Sequence, residues 1–279
     1  MKNLYFLILA LLISTNASST NREELFQTKI IYKLTYIPDS REQDKKSEEY
    51  FELLINNEYT LFRSINKGKN DSTDHAEKER INSVNSQGGE YQYPRLYPTS
   101  FAFNILFNKE QIFFYESLRD MKQYSYTENI NDISDKWILR DDTNTIDNYK
   151  CQLAELNYGK RDWKAWFTAA IPLNEGPYKF KNLPGLIVKV EDEGKNWVFE
   201  LVSIHNNQSK DVEISSFEKA TELPKKEFYK TKRYLLDNWF DLANASGNIK
   251  YSSKDIENRV RKESMEKAAA DNNWIELYP

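Results

Sequence analysis

The chain has 279 residues and a formal net charge of −4, and its Lys and Arg residues are spread along the sequence rather than clustered. Nucleic-acid binding needs a concentrated basic footprint, so this composition argues against it. Hydrophobic residues make up 39% of the chain and aromatic residues 14%. Aromatic side chains pack well on a pleated surface, so the composition favours a sheet-rich fold of one large domain or two small ones.

Residues 1–19 have the pattern of a secretory signal peptide. Lys2 supplies the charged end, Leu4–Ile13 the apolar stretch, and Ala17–Ser19 the small residues for cleavage before Thr20. An apolar run of about ten residues is too short to span a bilayer, which takes roughly 20. No cysteine stands at the cleavage point, so a lipid anchor is not expected. The sequence therefore predicts an exported protein, periplasmic or in the outer envelope, without a transmembrane segment in its mature form.

Apolar and polar residues alternate along much of the chain from Thr28 onward, which predicts strands joined by short turns. No helix separates successive strands in the manner of a βαβ unit, so we predict a mainly β (α+β) fold with one strongly curved antiparallel sheet of roughly eight to eleven strands. The segment Lys67–Glu90 is polar and predicts either a short solvated helix capped near Ser72 or a mobile insertion. The predicted strands are Thr28–Tyr36, Glu49–Asn56, Glu58–Ser64, Phe101–Phe107, Gln111–Glu116, Gln123–Glu128, Trp137–Arg140, Tyr149–Tyr158, Arg161–Thr168, Leu186–Val190 and Trp197–Ile204.

From Pro224 the hydrophobic period becomes helical and predicts a helix near residues 225–243 packed against the sheet. Ser252–Asp255 has the form of a capping box and begins a charged helix that runs to about Ala270. The expected organisation is therefore a signal peptide (1–19), a single β-rich domain (20–250), and a charged C-terminal helix and tail (251–279). Few apolar residues lie in the last helix, so we expect it to pack weakly.

The stretch Gly176–Ile187 is the one around which the surrounding strands are arranged. Proline fixes φ and glycine tolerates positive φ, so Pro184-Gly185 predicts a type II turn from which the strand Leu186–Val190 begins. A Gly at that second turn position cannot be replaced by a β-branched residue without backbone strain.

Motifs for catalysis, cofactors and metals are missing from the sequence. His75 and His205 are about 130 residues apart in unrelated contexts, so neither a metal nor a cofactor is expected. Cys151 is the only cysteine, and alternation places it on the same strand face as Tyr149 and Leu153, which favours a buried inert thiol. A nucleophilic role for Cys151, with a base brought near by the fold, is the alternative. Carboxylates are abundant but fall in predicted turns, so no acid–base pair can be selected.

One set of residues combines aromatic rings with an arginine beside the turn. Such a set can form a surface for a ligand or a protein partner, because Arg stacks on rings and Trp offers a large contact area. The alternative is a structural core in which Arg161 donates hydrogen bonds to turn carbonyls, and it is the more common use of such residues in a β-rich domain. The candidate surface consists of Arg161, Trp163, Trp166, Tyr178, Phe180, Pro184 and Gly185.

The segment Asn182-Leu-Pro-Gly-Leu-Ile187 resembles the signature of the GLPGLI family of exported Bacteroidetes proteins, which also carries a Porphyromonas name. The resemblance extends over residues 146–204, with motif segments in the family's order and spacing. Asn182 and Asn148 replace two of the family's glycines, and Asn is the next best residue at positive φ. The matching segments are Asn148–Cys151, Arg161–Trp166, Ile171-Pro172, Gly176-Pro177 and Asn182–Ile187.

The resemblance implies an envelope protein of a Gram-negative bacterium, and some members are encoded near outer-membrane receptors. It implies no activity that could be assigned to a residue of this chain. The fold is similar, as an analogy, to the LolA-like half-barrels that hold lipid or lipoprotein in a concave sheet. We therefore expect a binding or accessory protein whose aromatic face takes an apolar ligand or a protein partner. An envelope enzyme that uses Cys151 or a carboxylate pair is the alternative, and a purely structural envelope component is a third possibility.

Overall fold

The computed structural model describes residues 23–73, 96–214, 217, 219–245, 247 and 249–277. The predicted signal peptide, His75 and most of the predicted segment Lys67–Glu90 lie outside these ranges. Residues 65–73 form a helix, α1, which begins directly after a strand rather than near Ser72. No helix in the described ranges is long and apolar enough to cross a membrane.

The strands of the described chain, in order, are as follows. They are β1 (Glu23–Phe26), β2 (Thr28–Tyr36), β3 (Ser47–Ile55), β4 (Thr60–Ser64), β5 (Phe103–Phe107), β6 (Gln111–Ser117), β7 (Gln123–Asn129), β8 (Ile138–Ile146), β9 (Tyr149–Tyr158), β10 (Arg161–Thr168), β11 (Leu186–Asp192), β12 (Trp197–His205), β13 (Lys210–Glu213) and β14 (Thr221–Glu222). The other helices are α2 (Asn131–Ser134), α3 (Lys225–Asp237), α4 (Trp239–Ala245) and α5 (Lys254–Ala270).

Twelve strands form one sheet in the order β14-β7-β6-β5-β4-β3-β2-β12-β11-β10-β9-β8, and β1 pairs with β13 in a separate small sheet. Every pairing in the large sheet is antiparallel except that of β14 with β7. The mainly β prediction is confirmed, and all eleven predicted strands are present. The sheet exceeds the predicted size because the two-residue β14 adds to one edge.

Two meanders meet in the middle of this sheet. Strands β2 to β7 run outward in one direction and β12 to β8 in the other, and the pairing of β2 with β12 joins them. Alternate residues of β2 face the core, with Ile30, Tyr32 and Leu34 all 0% exposed. The first strand of the sheet in sequence is therefore the seam between its two halves.

The sheet is strongly curved. Nine strand-to-strand steps separate β7 from β9, which in a flat sheet would place them about 43 Å apart. Yet the Tyr158 hydroxyl of β9 donates a hydrogen bond of 3.1 Å to Glu128 Oε1 of β7. The sheet does not close into a barrel, because within the described residues β14 and β8 each pair on one side only. Its concave face encloses the main hydrophobic core.

Three further parts of the chain fill the concave face. Helix α3 places Phe228 against Phe114 and Tyr126, with the Phe228 ring centroid 5.0 Å from that of Tyr126. The connection between β10 and β11 lies inside as well, and Phe180 within it is 0% exposed. Residues 271–277 then return into the core after α5, and Glu276 is 0% exposed. This inward tail was not expected from the charged sequence that precedes it.

The turn before β11 differs in type from the prediction. The Gly185 amide donates to the Leu183 carbonyl at 2.7 Å, which makes a three-residue turn centred on Pro184. A type II turn would have used the Leu186 amide, which instead donates to the carbonyl of Ile171. The positive φ predicted for Gly185 is confirmed at +142°. The predicted type II turn is therefore wrong, although the need for glycine is right.

Helix boundaries follow the sequence with two adjustments. The helix predicted near 225–243 breaks at Asn238, between α3 and α4. Helix α5 is capped by Ser253 rather than Ser252, and the Ser253 hydroxyl accepts a hydrogen bond from the Ile256 amide at 3.3 Å. Only Ala268 of α5 is buried, in keeping with the expected weak packing of this helix.

Candidate functional site

A fully buried lysine lies at the centre of the concave face. Lys179 is in the connection between β10 and β11, and its side chain is 0% exposed. Its ammonium lies 2.5 Å from Glu128 Oε2, 2.6 Å from Glu276 Oε1, and donates to the Tyr126 hydroxyl at 2.8 Å. The same ammonium lies 4.7 Å from the centroid of the Tyr126 ring, close enough for a cation–π interaction. A buried charge is tolerated only when it is paired and hydrogen-bonded, and Lys179 meets both conditions.

A second lysine completes this buried ion cluster. Lys225, in the first turn of α3, makes an ion pair with Glu128 and lies 2.6 Å from Glu276 Oε2. Its contact with Glu276 is an ion pair rather than a directed hydrogen bond. Two lysines thus face two glutamates, so the cluster as a whole is neutral when the carboxylates are ionised. It joins β7, the β10–β11 connection, α3 and the C-terminal tail at one point.

The pKa values in this cluster follow from burial and from the neighbouring charges. Burial by itself would raise the pKa of Glu276, but Lys179 and Lys225 outweigh it and hold the pKa well below the ordinary value. Burial raises the pKa of Tyr178 well above its ordinary value, and the Glu276 charge raises it further. The Tyr178 hydroxyl donates to Glu276 at 2.5 Å. These groups therefore hold fixed protonation states near neutral pH, as expected of a structural network.

Arg161 is bound by the same tail. Its guanidinium lies 2.9 Å from Asp192 Oδ2 and donates to the carbonyls of Trp274 at 2.7 Å and Ile275 at 3.1 Å. It also donates to Asn273 Oδ1 at 2.6 Å. Arg161 thus holds the tail at the beginning of β10, and the carbonyls that it binds belong to the C-terminal tail rather than to a turn.

A groove of about 780 Å³ opens at one end of the curved sheet. Its floor lies where β2 and β6 end and where β3, β5 and β12 begin, and helices α3 and α5 with the tail form the opposite wall. Rings of the floor pack on one another, with Tyr36 stacked on Trp197 at 5.2 Å between ring centroids. The aromatic side chains of the groove are Tyr36, Phe101, Phe103, Phe114, Tyr178, Trp197, Tyr229, Trp239 and Trp274.

Charged residues of the groove fall into two kinds. Lys232 is paired with Glu116, at 2.8 Å and 2.9 Å from its two oxygens, and Asp271 accepts a hydrogen bond from the Trp274 indole at 2.6 Å. Arg119 and Lys267 are exposed and make no ion pair with any residue in the described ranges. The groove therefore combines an aromatic interior with two exposed cations, Arg119 and Lys267.

Most residues of the candidate surface predicted from the sequence lie in the core. Trp163 is 1% exposed and Phe180 0%, and their ring centroids are 4.6 Å apart. Trp166 lies on the opposite face of β10 from Trp163 and is partly exposed. Pro184 is exposed and Gly185 buried. Of the seven residues only Tyr178 lines the groove, so the structure brings Arg161, Trp163, Tyr178 and Phe180 together inside the molecule and leaves Trp166 and Pro184 outside.

The groove residues carried little signal in the sequence. They come from strand ends, from the segment before β5, from three helices and from the tail, which only the tertiary fold brings together. The one local sequence signal was the pair Trp274 and Ile275 after the charged α5, because apolar residues that follow a polar segment tend to pack against the rest of the protein. The burial of Lys179 could not be predicted from the sequence, since a lysine between two aromatic residues usually lies at the surface.

Cys151 is buried on β9, and burial raises the pKa of its thiol. An activated nucleophile needs a lowered pKa and an accessible thiol, so the local environment works against that role. His205 is exposed at the end of β12, and its ring contacts the Ser203 hydroxyl at 2.9 Å. No group of three or more potential metal ligands occurs in the part of the chain that the structure describes.

The chain is thus a mainly β protein with one open, curved sheet, an internal ion cluster and a groove at one end. A family model described as a protein of unknown function (Porph_ging) matches residues 157–189. This range holds the end of β9, all of β10, the connection with Lys179, and the beginning of β11. It includes the motif segments from Arg161–Trp166 to Asn182–Ile187, so the Porphyromonas-type part of the resemblance is supported there.

Comparisons over the whole chain add little beyond this segment. No curated protein matches the sequence. Two structures of PNGF-II, in space groups C2 and P21, are similar at 14% identity with TM-scores of 0.47 and 0.48. The match covers 74% of this chain and 32% or 33% of those structures, so the chain spans about a third of their length. A likeness of this size carries no functional argument.

Proposed function

We propose that this chain is an exported envelope protein of the GLPGLI type, with residues 1–19 as its signal peptide, that binds an apolar ligand in the groove. The observation that carries the proposal is the aromatic groove of about 780 Å³. Sites for small molecules measure about 300–1,000 Å³ and are lined mainly by apolar and aromatic side chains with a few polar groups. The groove has that size and that lining. The signal sequence and the motif segments support export and the family type.

The predicted aromatic set takes an indirect part in this proposal. Tyr178 belongs to the floor, and its ring centroid lies 6.1 Å from that of Phe103 in the same floor. Arg161 holds the tail that carries Trp274 in the opposite wall. Trp163 and Phe180 support the floor from behind. Arg161, Trp163 and Phe180 thus shape the site from within the core, and Tyr178 is the member of the set that contacts the ligand.

The volume of the groove also indicates which kind of ligand or partner fits it. The resemblance implied an outer-membrane receptor or a lipid or lipoprotein, and both remain proposals. A groove of this volume accepts a small molecule or a lipid chain, whereas a folded partner would need a surface of about 800 Å² on each side. We therefore propose a lipid-like ligand first. A receptor would bind elsewhere on the molecule.

The enzymatic alternative has less support. It depended on Cys151, whose thiol is buried, or on a pair of carboxylates. The pair formed by partly exposed Glu128 and buried Glu276 is neutralised by two lysines and holds the fold together. A general acid would need a raised pKa, whereas the pKa of Glu276 is lowered.

Ligand binding is tested with N-phenyl-1-naphthylamine, a neutral dye that fluoresces in apolar surroundings. Ala102 lines the groove and is half-buried, so Ala102→Trp would fill part of it. We expect wild type to bind the dye with saturation, and Ala102→Trp to lose about tenfold or more in affinity, because the filled volume removes apolar contact area. The measurement is a fluorescence titration.

Ala170→Trp is the matched control, because Ala170 is exposed and does not line the groove. Both variants should melt close to wild type. If the dye does not bind to wild type, or binds equally to Ala102→Trp, the groove is not a binding site and the proposal fails. Export is tested separately, by fractionating cells and sequencing the mature N-terminus, which should begin at Thr20.

A further inference from the structure

Two exposed, positively charged side chains line the groove. Arg119 lies in the turn after β6, and Lys267 lies in the last turn of α5, so they come from opposite walls. Both also line a smaller adjoining cleft of about 180 Å³, together with Trp239 and Glu263. The two walls therefore present their charges to one shared opening.

These cations differ from the other lysines and arginines of the concave side. Lys179, Lys225 and Lys232 all have carboxylate partners. Arg119 and Lys267 have none in the described ranges, even though Glu263 lines the same cleft and precedes Lys267 by one helical turn. An exposed, unpaired Arg has five donors in a planar fork that fits a carboxylate, a sulfate or a phosphate.

We propose that the ligand is an anionic amphiphile with a single charged head, whose apolar part lies on the aromatic floor and whose head is bound by Arg119 and Lys267. The inference rests on the proposed function, since it assumes that the groove binds an apolar chain. The charges of the groove favour an anionic head. Two exposed cations can bind one anionic group, Lys232 is already paired with Glu116, and the Asp271 carboxylate accepts a hydrogen bond from the Trp274 indole.

The test compares decanoate with decan-1-ol, which share one alkyl chain and differ in the charge of the head. Each competes with the neutral dye for wild-type protein at low ionic strength. We expect decanoate to bind about tenfold more tightly, because hydrogen bonds to charged groups are the stronger kind. The double variant Arg119→Gln/Lys267→Gln should lose that preference and still bind decan-1-ol as wild type does.

Lys164→Gln/Lys226→Gln is the matched control. It removes the same charge at two exposed lysines outside the groove, and it should keep the preference for decanoate. Equal binding of decanoate and decan-1-ol to wild type would overturn the inference and leave the proposed function standing. No binding of either compound or of the dye would overturn both. A preference that the control loses as fully as the double variant would overturn the assignment to Arg119 and Lys267, because the general charge would then explain it.

Discussion

Gly185 shows how one residue can be fixed by two separate constraints. Its φ of +142° is open to glycine and strained for other residues. A Cβ at this position would also lie 2.1 Å from the Thr168 carbonyl oxygen, far inside van der Waals contact. Thr168 is the last residue of β10, so the backbone before β11 runs directly over the end of its neighbour. Positive φ was predictable from the Pro-Gly pair, whereas the contact was not.

We predict that Gly185→Val lowers the free energy of unfolding by more than about 1–3 kcal/mol, the usual cost of backbone strain, because the clash with Thr168 is added to it. Urea or thermal unfolding measures the change. Asn182→Gly is the control: Asn182 already has a φ of +65°, so glycine there should be nearly neutral. A Gly185→Val variant as stable as wild type would contradict this geometry.

Glu276 makes the stability of the fold depend on pH in the acidic range. Its pKa is lower in the folded chain than the ordinary value of 4.5, because Lys179 and Lys225 stabilise the carboxylate. The unfolded chain therefore binds this proton at a higher pH than the folded chain does. The stability due to Glu276 is present in full above about pH 4.5 and is lost as the pH falls through the folded pKa.

We predict that the wild-type melting temperature falls as the pH is lowered from about 5 to about 3, and that Glu276→Gln has a shallower dependence over that window. At neutral pH the same variant should be less stable by about 3–5 kcal/mol, since buried Lys179 and partly exposed Lys225 then share one carboxylate. Glu227→Gln, at an exposed glutamate of α3, is the control that should keep the wild-type slope. Parallel pH profiles for wild type and Glu276→Gln would show that Glu276 is not the group responsible.

At the scale of secondary-structure elements, the features that depend on neighbouring residues, namely strands and turns, were predicted from the sequence. Local sequence patterns, chiefly period-two alternation, predicted all eleven strands, with β2, β9 and β10 at the predicted bounds. Asn148 and Asn182, which replace family glycines, both have positive φ, as the preferences of asparagine suggested. Local geometry follows from residues near in sequence, so a single chain was enough.

Elements whose role depends on distant contacts were missed. Strands β1 and β13 pair although most of the sheet lies between them in sequence, and no local pattern predicts which residues face each other. The groove and the ion cluster could not be predicted from the sequence for the same reason. Their residues meet only because the sheet curves.

At the scale of the whole molecule, the sheet is held curved from inside. The β10–β11 connection and the tail carry Lys179 and Glu276 between the two meanders, and Glu128 on β7 joins the same cluster. The tail also binds Arg161 on β10 and, through Asn273, the carbonyl of Ile37 just after β2. Both halves of the sheet and their seam are thus tied to the last described residues of the chain.

Because the C-terminal tail contacts both halves of the sheet, its removal should have a large effect on stability. We predict that a chain ending at Ala270 is largely unfolded at 25 °C, because it loses Glu276, which pairs with both Lys179 and Lys225, and the tail oxygens that accept hydrogen bonds from Arg161. Breaking one buried ion pair costs about 3–5 kcal/mol, and a domain has in total about 5–15 kcal/mol of stability. Near-ultraviolet circular dichroism and urea unfolding measure the effect. A synthetic peptide of residues 271–279, added to the shortened chain, should restore part of the folded signal, whereas a peptide with Glu276→Ala should restore less. Cooperative unfolding of the shortened chain at the wild-type urea concentration would show that the tail is an appendage and that the sheet keeps its curvature without it.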